Sequence, residues 1–179
     1  MAGDTTNARQ WSEADVYVSW NLDATVPATI ATAWGADWHL VGLLDGDDGF
    51  TYAQSEDETD LFAWGGIIVK TSRKNFKQTV SFSALEWNDV TRRLRWPGSA
   101  IGEIMVPTVE STVIGFEKRE GTVKHRVISA NYAEIAPDGD VNENETDLSK
   151  IPFLATIIPD TSSTPARLFW EYQTAGFWS

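Results

Sequence analysis

Thr112-Val113-Ile114-Gly115-Phe116-Glu117-Lys118-Arg119-Glu120-Gly121-Thr122-Val123-Lys124-His125-Arg126-Val127-Ile128-Ser129 is the stretch that decides the fold. β-Branched and aromatic residues crowd both halves, and Glu120-Gly121 between them is a turn signal. The stretch predicts a hairpin running out over Thr112–Arg119 and returning from Thr122 to Ile135. In the return strand the apolar phase changes between Val127 and Ile128, which predicts a β-bulge there.

Period-two texture extends outward from this hairpin. Val16, Val18 and Trp20 alternate with Asp15, Tyr17 and Ser19, a half-buried strand. His39–Leu44 is mostly apolar and ends at the turn pair Asp45-Gly46, and Phe50–Ala53 predicts a short strand. Gly66–Thr71 leads into the polar run Ser72-Arg73-Lys74-Asn75, and Val80, Phe82 and Ala84 lead out of it. That pattern predicts a second hairpin, turning at 72–75, with one wet face. Ile151–Ile158 and Arg167–Gln173 are apolar on both faces, as central or covered strands are. One short helix fits the chain: Asn88 as cap, Asp89 in the first turn, Val90 and Leu94 on one face, Arg92, Arg93 and Arg95 near the C-terminus, and Pro97-Gly98 as the stop. About nine strands and one helix make the chain mainly β, an antiparallel β-sandwich or barrel with one short flanking helix. No internal repeat or linker divides it, so 1–179 is expected to be a single domain. Its N-terminal arm is expected over about 1–14 and a long acidic loop over about 45–64.

The chain has 179 residues, enough to bury roughly 70% of its unfolded surface without a metal or disulfide. It contains no cysteine, which removes disulfide frameworks, thiolate metal sites and cysteine nucleophiles together. The apolar run Ile67-Ile68-Val69, after two glycines, is far short of a membrane span, and the first residues lack the basic and apolar segments of a signal peptide. A net charge of −12 argues against a protein that grips nucleic acid. The charge is segregated: Lys70–Arg126 carries a balance of +5 and the remainder −17. Asp45–Asp60 holds seven acids and no base, and Glu134–Asp147 six and none. A basic middle with acidic loops suits contacts between copies of one chain through unlike patches.

Few residues point to chemistry. The histidines, His39 and His125, suit core or surface positions, and there is no nucleophile elbow, phosphate loop or zinc-binding pair. A glycosidase-type carboxylate pair has many acids to draw on but no particular spacing to support it. Asp138-x-Asp140-x-Asn142-x-Asn144 has oxygen ligands at alternate positions, as calcium loops do. Glu143 and Ser149, however, stand where an EF-hand needs glycine and a bidentate glutamate, so a solvated acidic turn is expected. Asn144-Glu145-Thr146 matches a glycosylation sequon. Of the nine tryptophans, Trp20 and Trp170 fall in strands and are expected in the core. Trp11, Trp34, Trp38, Trp64, Trp96 and Trp178 fall outside them, where aromatics serve sugar platforms or protein–protein contacts.

Ser19-Trp20-Asn21-Leu22-Asp23-Ala24-Thr25-Val26-Pro27, Trp34-Gly35-Ala36-Asp37-Trp38 and Leu40-Val41-Gly42-Leu43-Leu44-Asp45-Gly46-Asp47-Asp48-Gly49-Phe50-Thr51 resemble the major tail proteins of long-tailed, non-contractile phages. Val127–Ile135 leading to Gly139-Asp140-Val141, the acidic loop, and Phe153–Pro159 continue the likeness, which spans roughly Ala14–Phe169 in order and texture. The resemblance implies a virion tail-tube protein, made in the host cytoplasm, whose hexameric rings stack around a tape measure protein. A terminator and a tail tip close the two ends, and DNA passes down the bore at ejection without specific binding. It implies no enzyme activity, no cofactor and no membrane. The rival expectation is a Trp-rich carbohydrate-binding β-sandwich, calcium-assisted through Asp138 and Asp140.

On the tube reading, Trp34, Trp38 and Trp64 are expected at contacts between copies. The acids Asp45, Asp47, Asp48, Asp57 and Asp60 of one copy are expected to meet Lys70, Arg73, Lys74 and Lys77, or Arg92, Arg93 and Arg95, of another. The acidic loop is expected to be disordered until such a partner arrives.

Overall fold

Residues 8–175 and 177 are described by the computed structural model. The deciding hairpin is there: β5 (Ser111–Glu120) and β6 (Val123–Ser129) pair antiparallel from Glu120↔Val123 to Gly115↔Ile128. Gly121 opens the two-residue turn at φ +58°, a left-handed conformation that glycine takes without steric cost. On its other side β5 takes β1 (Glu13–Ser19), which is edged by the two-residue β2 (His39–Leu40), while β6 takes β9 (Phe169–Gln173).

The first two residues of β5 pair elsewhere. Ser111 and Thr112 lie against β7 (Ala133–Pro137), which leads through β8 (Ile151–Ile157) to β4 (Ile68–Ala84) and β3 (Thr51–Phe62). β5 thus belongs to two antiparallel halves of one nine-stranded arrangement, β2-β1-β5-β6-β9 and β5-β7-β8-β4-β3. The halves face each other across one core. Val16 and Val18 of β1, Ile114 and Phe116 of β5 and Val127 of β6 meet Val80 and Phe82 of β4 and Phe153 and Ala155 of β8. Phe82 sits between Phe116 and Phe153, with ring centroids 6.0 and 5.5 Å away. Each of these large side chains contributes about 1.5–3 kcal/mol by leaving water.

The expected helix forms as α1 (Asp89–Arg95). The Asn88 carboxamide oxygen accepts from the amides of Val90 and Thr91, and the Thr91 hydroxyl accepts from the Asn88 amide, all at 2.9 Å. Asn88 also donates to the Val41 carbonyl at 2.8 Å, tying the cap to the chain just after β2.

Four expectations need correction. No bulge separates Val127 from Ile128, because the β5–β6 register runs unbroken there. The phase changes because both faces are buried: Val127 faces the core, while Arg126 and Ile128 face a second cluster on the outside of the sheet. The second hairpin turns at 63–67, not at 72–75. Ser72–Asn75 lies inside β4, where Asn75 takes φ +55° and β4 carries one residue more than β3 between Ser55↔Lys77 and Asp57↔Lys74. The polar run marks a β-bulge, which bends and twists a strand without ending it. Most of the supposed acidic loop over 45–64 is β3, ordered by its ladder to β4. Finally, β9 is an edge strand paired only with β6, and Trp170 is 37% exposed under the Arg167 guanidinium rather than in the core.

Candidate self-assembly surface

The surface begins where β4 leaves its neighbour β8. Gln78–Ala84 of β4 pairs with β8, but Ile68–Lys77 pairs only with β3. The two strands therefore project as a free two-stranded arm, roughly 30 Å long at about 3.3 Å per residue. The bulge at Asn75 lies at the point of departure. Along the arm the residues are polar and exposed, but its end is apolar: Leu61, Phe62, Trp64, Ile67, Ile68 and Val69 are all more than half exposed. Trp64, at the turn, is fully exposed. Side chains of this kind, unpartnered within one copy, mark an interaction site.

Part of the arm's charge is matched within it. Arg73 bonds Glu58 at 3.2 Å and approaches Glu56 at 3.9 Å. Asp57 stands opposite Lys74 in the ladder and accepts from the Asn75 side-chain carboxamide at 2.7 Å, while Lys77 stands opposite Ser55 and Lys70 opposite Leu61. Asp60 accepts from the Thr71 hydroxyl at 2.6 Å and has no cation beside it among the described residues. The row of charges along β3 also blunts an exposed sheet edge against indiscriminate pairing.

Several residues expected at contacts between copies are occupied within the chain instead. Asp45 is buried and ion-paired with Lys150, which Asp48 also approaches at 3.5 Å. The Lys150 ammonium holds the Asp45 carboxyl below its ordinary value. The Asp47 amide donates to the Asp45 carboxylate at 3.2 Å, and the Asp47 side chain is exposed. Arg92 donates to the carbonyls of Ser99, Ala100 and Glu103, pinning the loop after α1. Arg93 pairs with Glu110 and lies 4.1 Å over the Trp20 ring, and Arg95 lies 5.5 Å over Trp96. That pinned loop is itself apolar outward, with Ile101, Ile104, Met105, Val106 and Val109 exposed.

Trp34 and Trp38 are likewise internal. They belong to segment 20–38, which covers the outer face of β1-β5-β6 and packs Ala24, Trp38 and Val26 on Val113 and Ile128. Trp34 stacks on Tyr17 at 4.3 Å, lies 4.5 Å from the Arg126 guanidinium, and donates its indole N–H to Glu117 at 3.2 Å. It reaches that depth because Gly115 has no side chain; a Cβ there would stand 2.4 Å from the indole ring. Beneath it Arg126 and Glu117 form a buried pair, Nη2 to Oε2 at 2.6 Å and Nε to Oε2 at 2.8 Å. Burial alone would push the Glu117 carboxyl up, but Arg126, Arg119 and the Trp34 indole hold it below its ordinary value. Nothing in a period-two count distinguishes Trp38, buried on such a segment, from Trp64, which faces solvent.

His125 forms a triangle of rings with Trp11 and Phe177, at 6.2 and 4.7 Å from them with those two 5.8 Å apart, and contacts the Glu171 carboxylate at 2.7 Å. Trp178 lies outside the described residues. Among the described residues no three His, Asp or Glu side chains gather so as to hold a metal ion. In the acidic run 138–144 the Asn144 side-chain oxygen already accepts from the amides of Thr146 and Asp147, both at 2.8 Å. No described helix is long and apolar enough to cross a membrane. No protein-family model matches the chain, and no curated protein matches it.

Proposed function

We propose that this chain is a self-assembling structural protein of a phage virion, whose copies close into rings, six to a ring as the resemblance implies, and stack into a tail tube. One observation carries the reading: a two-stranded arm ending in Phe62, Trp64, Ile67 and Ile68, apolar side chains left more than half exposed among the described residues. A monomeric protein gains nothing from holding such an end in water, whereas a protomer with a second, unlike apolar patch on the loop 101–109 is built for head-to-tail contact. The net charge of −12 adds support, since a conduit lined with phosphate-binding surface would hold DNA back. On this reading the partners are other copies, a tape measure protein in the bore, and terminator and tip proteins at the ends. DNA passes without specific binding, no cofactor takes part and no reaction is catalysed.

The test is sedimentation velocity and negative-stain electron microscopy of the purified chain over a hundredfold concentration range. Rings or tubes growing with concentration are expected. A strictly monomeric species at the highest concentration refutes the reading, and binding to a glycan array by that monomer would favour the carbohydrate-binding alternative.

A further inference from the structure

A cleft of about 630 Å³ opens between the start of β1, the segment 42–50 and the far end of β5. Trp11, Leu44, Phe50 and Tyr52 give it an aromatic and apolar part, and Glu13, Asp15, Asp45, Lys118 and Arg119 a charged one. Its other charges are matched. Arg119 takes Glu13 at 2.9 Å, Asp15 at 2.6 Å and Glu117 at 3.1 Å, and Asp45 takes Lys150. Lys118 differs. Its ammonium lies 5.1 Å from the Trp11 ring and 5.5 Å from the Tyr52 ring, with no hydrogen bond or ion pair among the described residues. Burial lowers its pKa, partly opposed by the more distant Glu171. The cleft therefore presents an aromatic patch beside paired charges, and one partly desolvated cation that lacks an anion among the described residues. An occupant that fits carries an aromatic or apolar body and a single carboxylate.

The end of the arm has that composition. Asp60 and Phe62 alternate along β3 and so share one face, with Ile68 paired to Phe62, and Trp64 follows at the turn. Asp60 is the acid nearest the apolar end, and it lacks a cation. The arm cannot fill its own cleft. Tyr52 and Phe62 are ten residues apart on one continuous strand, roughly 33 Å at about 3.3 Å per residue. The apolar loop 101–109 is the competing acceptor: Arg92 and Arg93 beside it are held by backbone carbonyls and Glu110, and Arg95, without an ion pair among the described residues, is turned over the Trp96 ring at 5.5 Å.

We infer that the end of the β3–β4 arm of one copy seats in the Trp11–Tyr52–Lys118 cleft of another, with Asp60 beside Lys118 and the Phe62 and Trp64 side chains against the aromatic walls. The inference rests on the self-assembly reading and deepens it by naming both surfaces of one contact. Donor and acceptor lie at opposite ends of the arm, so the contact is heterologous and repeats from copy to copy without using itself up.

The experiment is a charge exchange in the full chain, with assembly followed by light scattering and sedimentation. Asp60→Lys and Lys118→Glu are each expected to raise the concentration needed for assembly about tenfold, and the double exchange to bring it back to within about threefold of the parent. Lys118→Met, which adds no like charge beside Asp15 or Glu171, should act in the same direction. Circular dichroism and melting curves establish that each variant is folded. If the parent assembles but neither single variant changes the threshold, or the exchange fails to restore it, the tip-to-cleft contact is refuted while the self-assembly reading stands. If the parent stays monomeric, both fall. Lys118-dependent quenching of tryptophan fluorescence by indole-3-acetate in that monomer would assign the cleft to a small aromatic carboxylate instead.

Discussion

Removing the Arg126 guanidinium tests whether the buried pair fixes segment 20–38 onto the sheet. The Arg126 side chain is 4% exposed and that of Glu117 6%, so the substitution Arg126→Met strands a carboxylate that water cannot reach. It also removes donors to the carbonyls of Thr32 at 3.0 Å and Thr29 at 3.3 Å, and the cation over Trp34. Breaking one side of a buried ion pair costs about 3–5 kcal/mol, a large part of the 5–15 kcal/mol that holds a typical domain folded. For a chain of this size that is a fall in Tm of about 10 °C. Urea unfolding of dilute, unassembled protein reads the cost. The double variant Glu117→Gln/Arg126→Met should recover part of it, because no charge is then left buried. Acidity separates the two explanations further. In the parent Glu117 sits below its ordinary pKa, so its contribution is present above the unfolded value and lost as pH falls through the folded one. In Arg126→Met burial is opposed only by Arg119 and the Trp34 indole, so that pKa rises and the variant's deficit should shrink as pH falls from 7 toward 5. A cost below about 1 kcal/mol, or a double variant no better than the single, refutes the argument.

Gly115→Ala places a Cβ 2.4 Å from the Trp34 ring and should cost about 1–3 kcal/mol, with a shift in tryptophan emission as the indole is displaced. Asn88→Ala removes the α1 cap and the bond to Val41, and a loss of about 1–2 kcal/mol in urea titrations is expected. Burial pushes the His125 imidazole below its ordinary value against the pull of Glu171, with Lys118 adding to the fall. The unfolded chain thus binds more protons near pH 6, so stability should drop as pH falls from about 7 to 5, and His125→Gln should flatten that slope. Trp64→Ala should leave the urea midpoint within about 0.5 kcal/mol of the parent yet raise the assembly threshold, since Trp64 touches solvent alone in the single copy.

What was legible in the sequence follows the physics of burial. Strands wet on one face announce themselves by alternation, and the helix by Asn88 and its arginines, because caps and period two are local. β5–β6 is buried on both faces, so alternation fails as a guide, and the unlike pair Glu117 and Arg126 looks like surface until segment 20–38 is laid over it. Ser72–Asn75 carries the residues of a turn because an inward kink and a reversal ask for similar backbone freedom; only the partner strand tells them apart.

The candidate surface was half legible for a related reason. Charge segregation along the chain is real, but a long hairpin brings positions 57–60 opposite 71–74, so acids and bases far apart in sequence become neighbours in one ladder. Glu58 and Arg73 neutralise each other on the arm they stiffen, and exposed pairs of this kind are worth only about 0–1 kcal/mol each. Arg92 and Arg93 serve the loop after α1 in the same way. Once these internal pairings are set aside, two of the features left unmatched among the described residues are an apolar arm end with an acid, Asp60, and a partly aromatic cleft with a cation, Lys118. On the proposed tip-to-cleft contact, affinity between copies falls to Phe62, Trp64 and the aromatic part of the cleft, while Asp60 and Lys118 set which way the arm enters. A contact so divided should tolerate moderate salt, because its apolar part is unscreened and its single ion pair is sheltered from water.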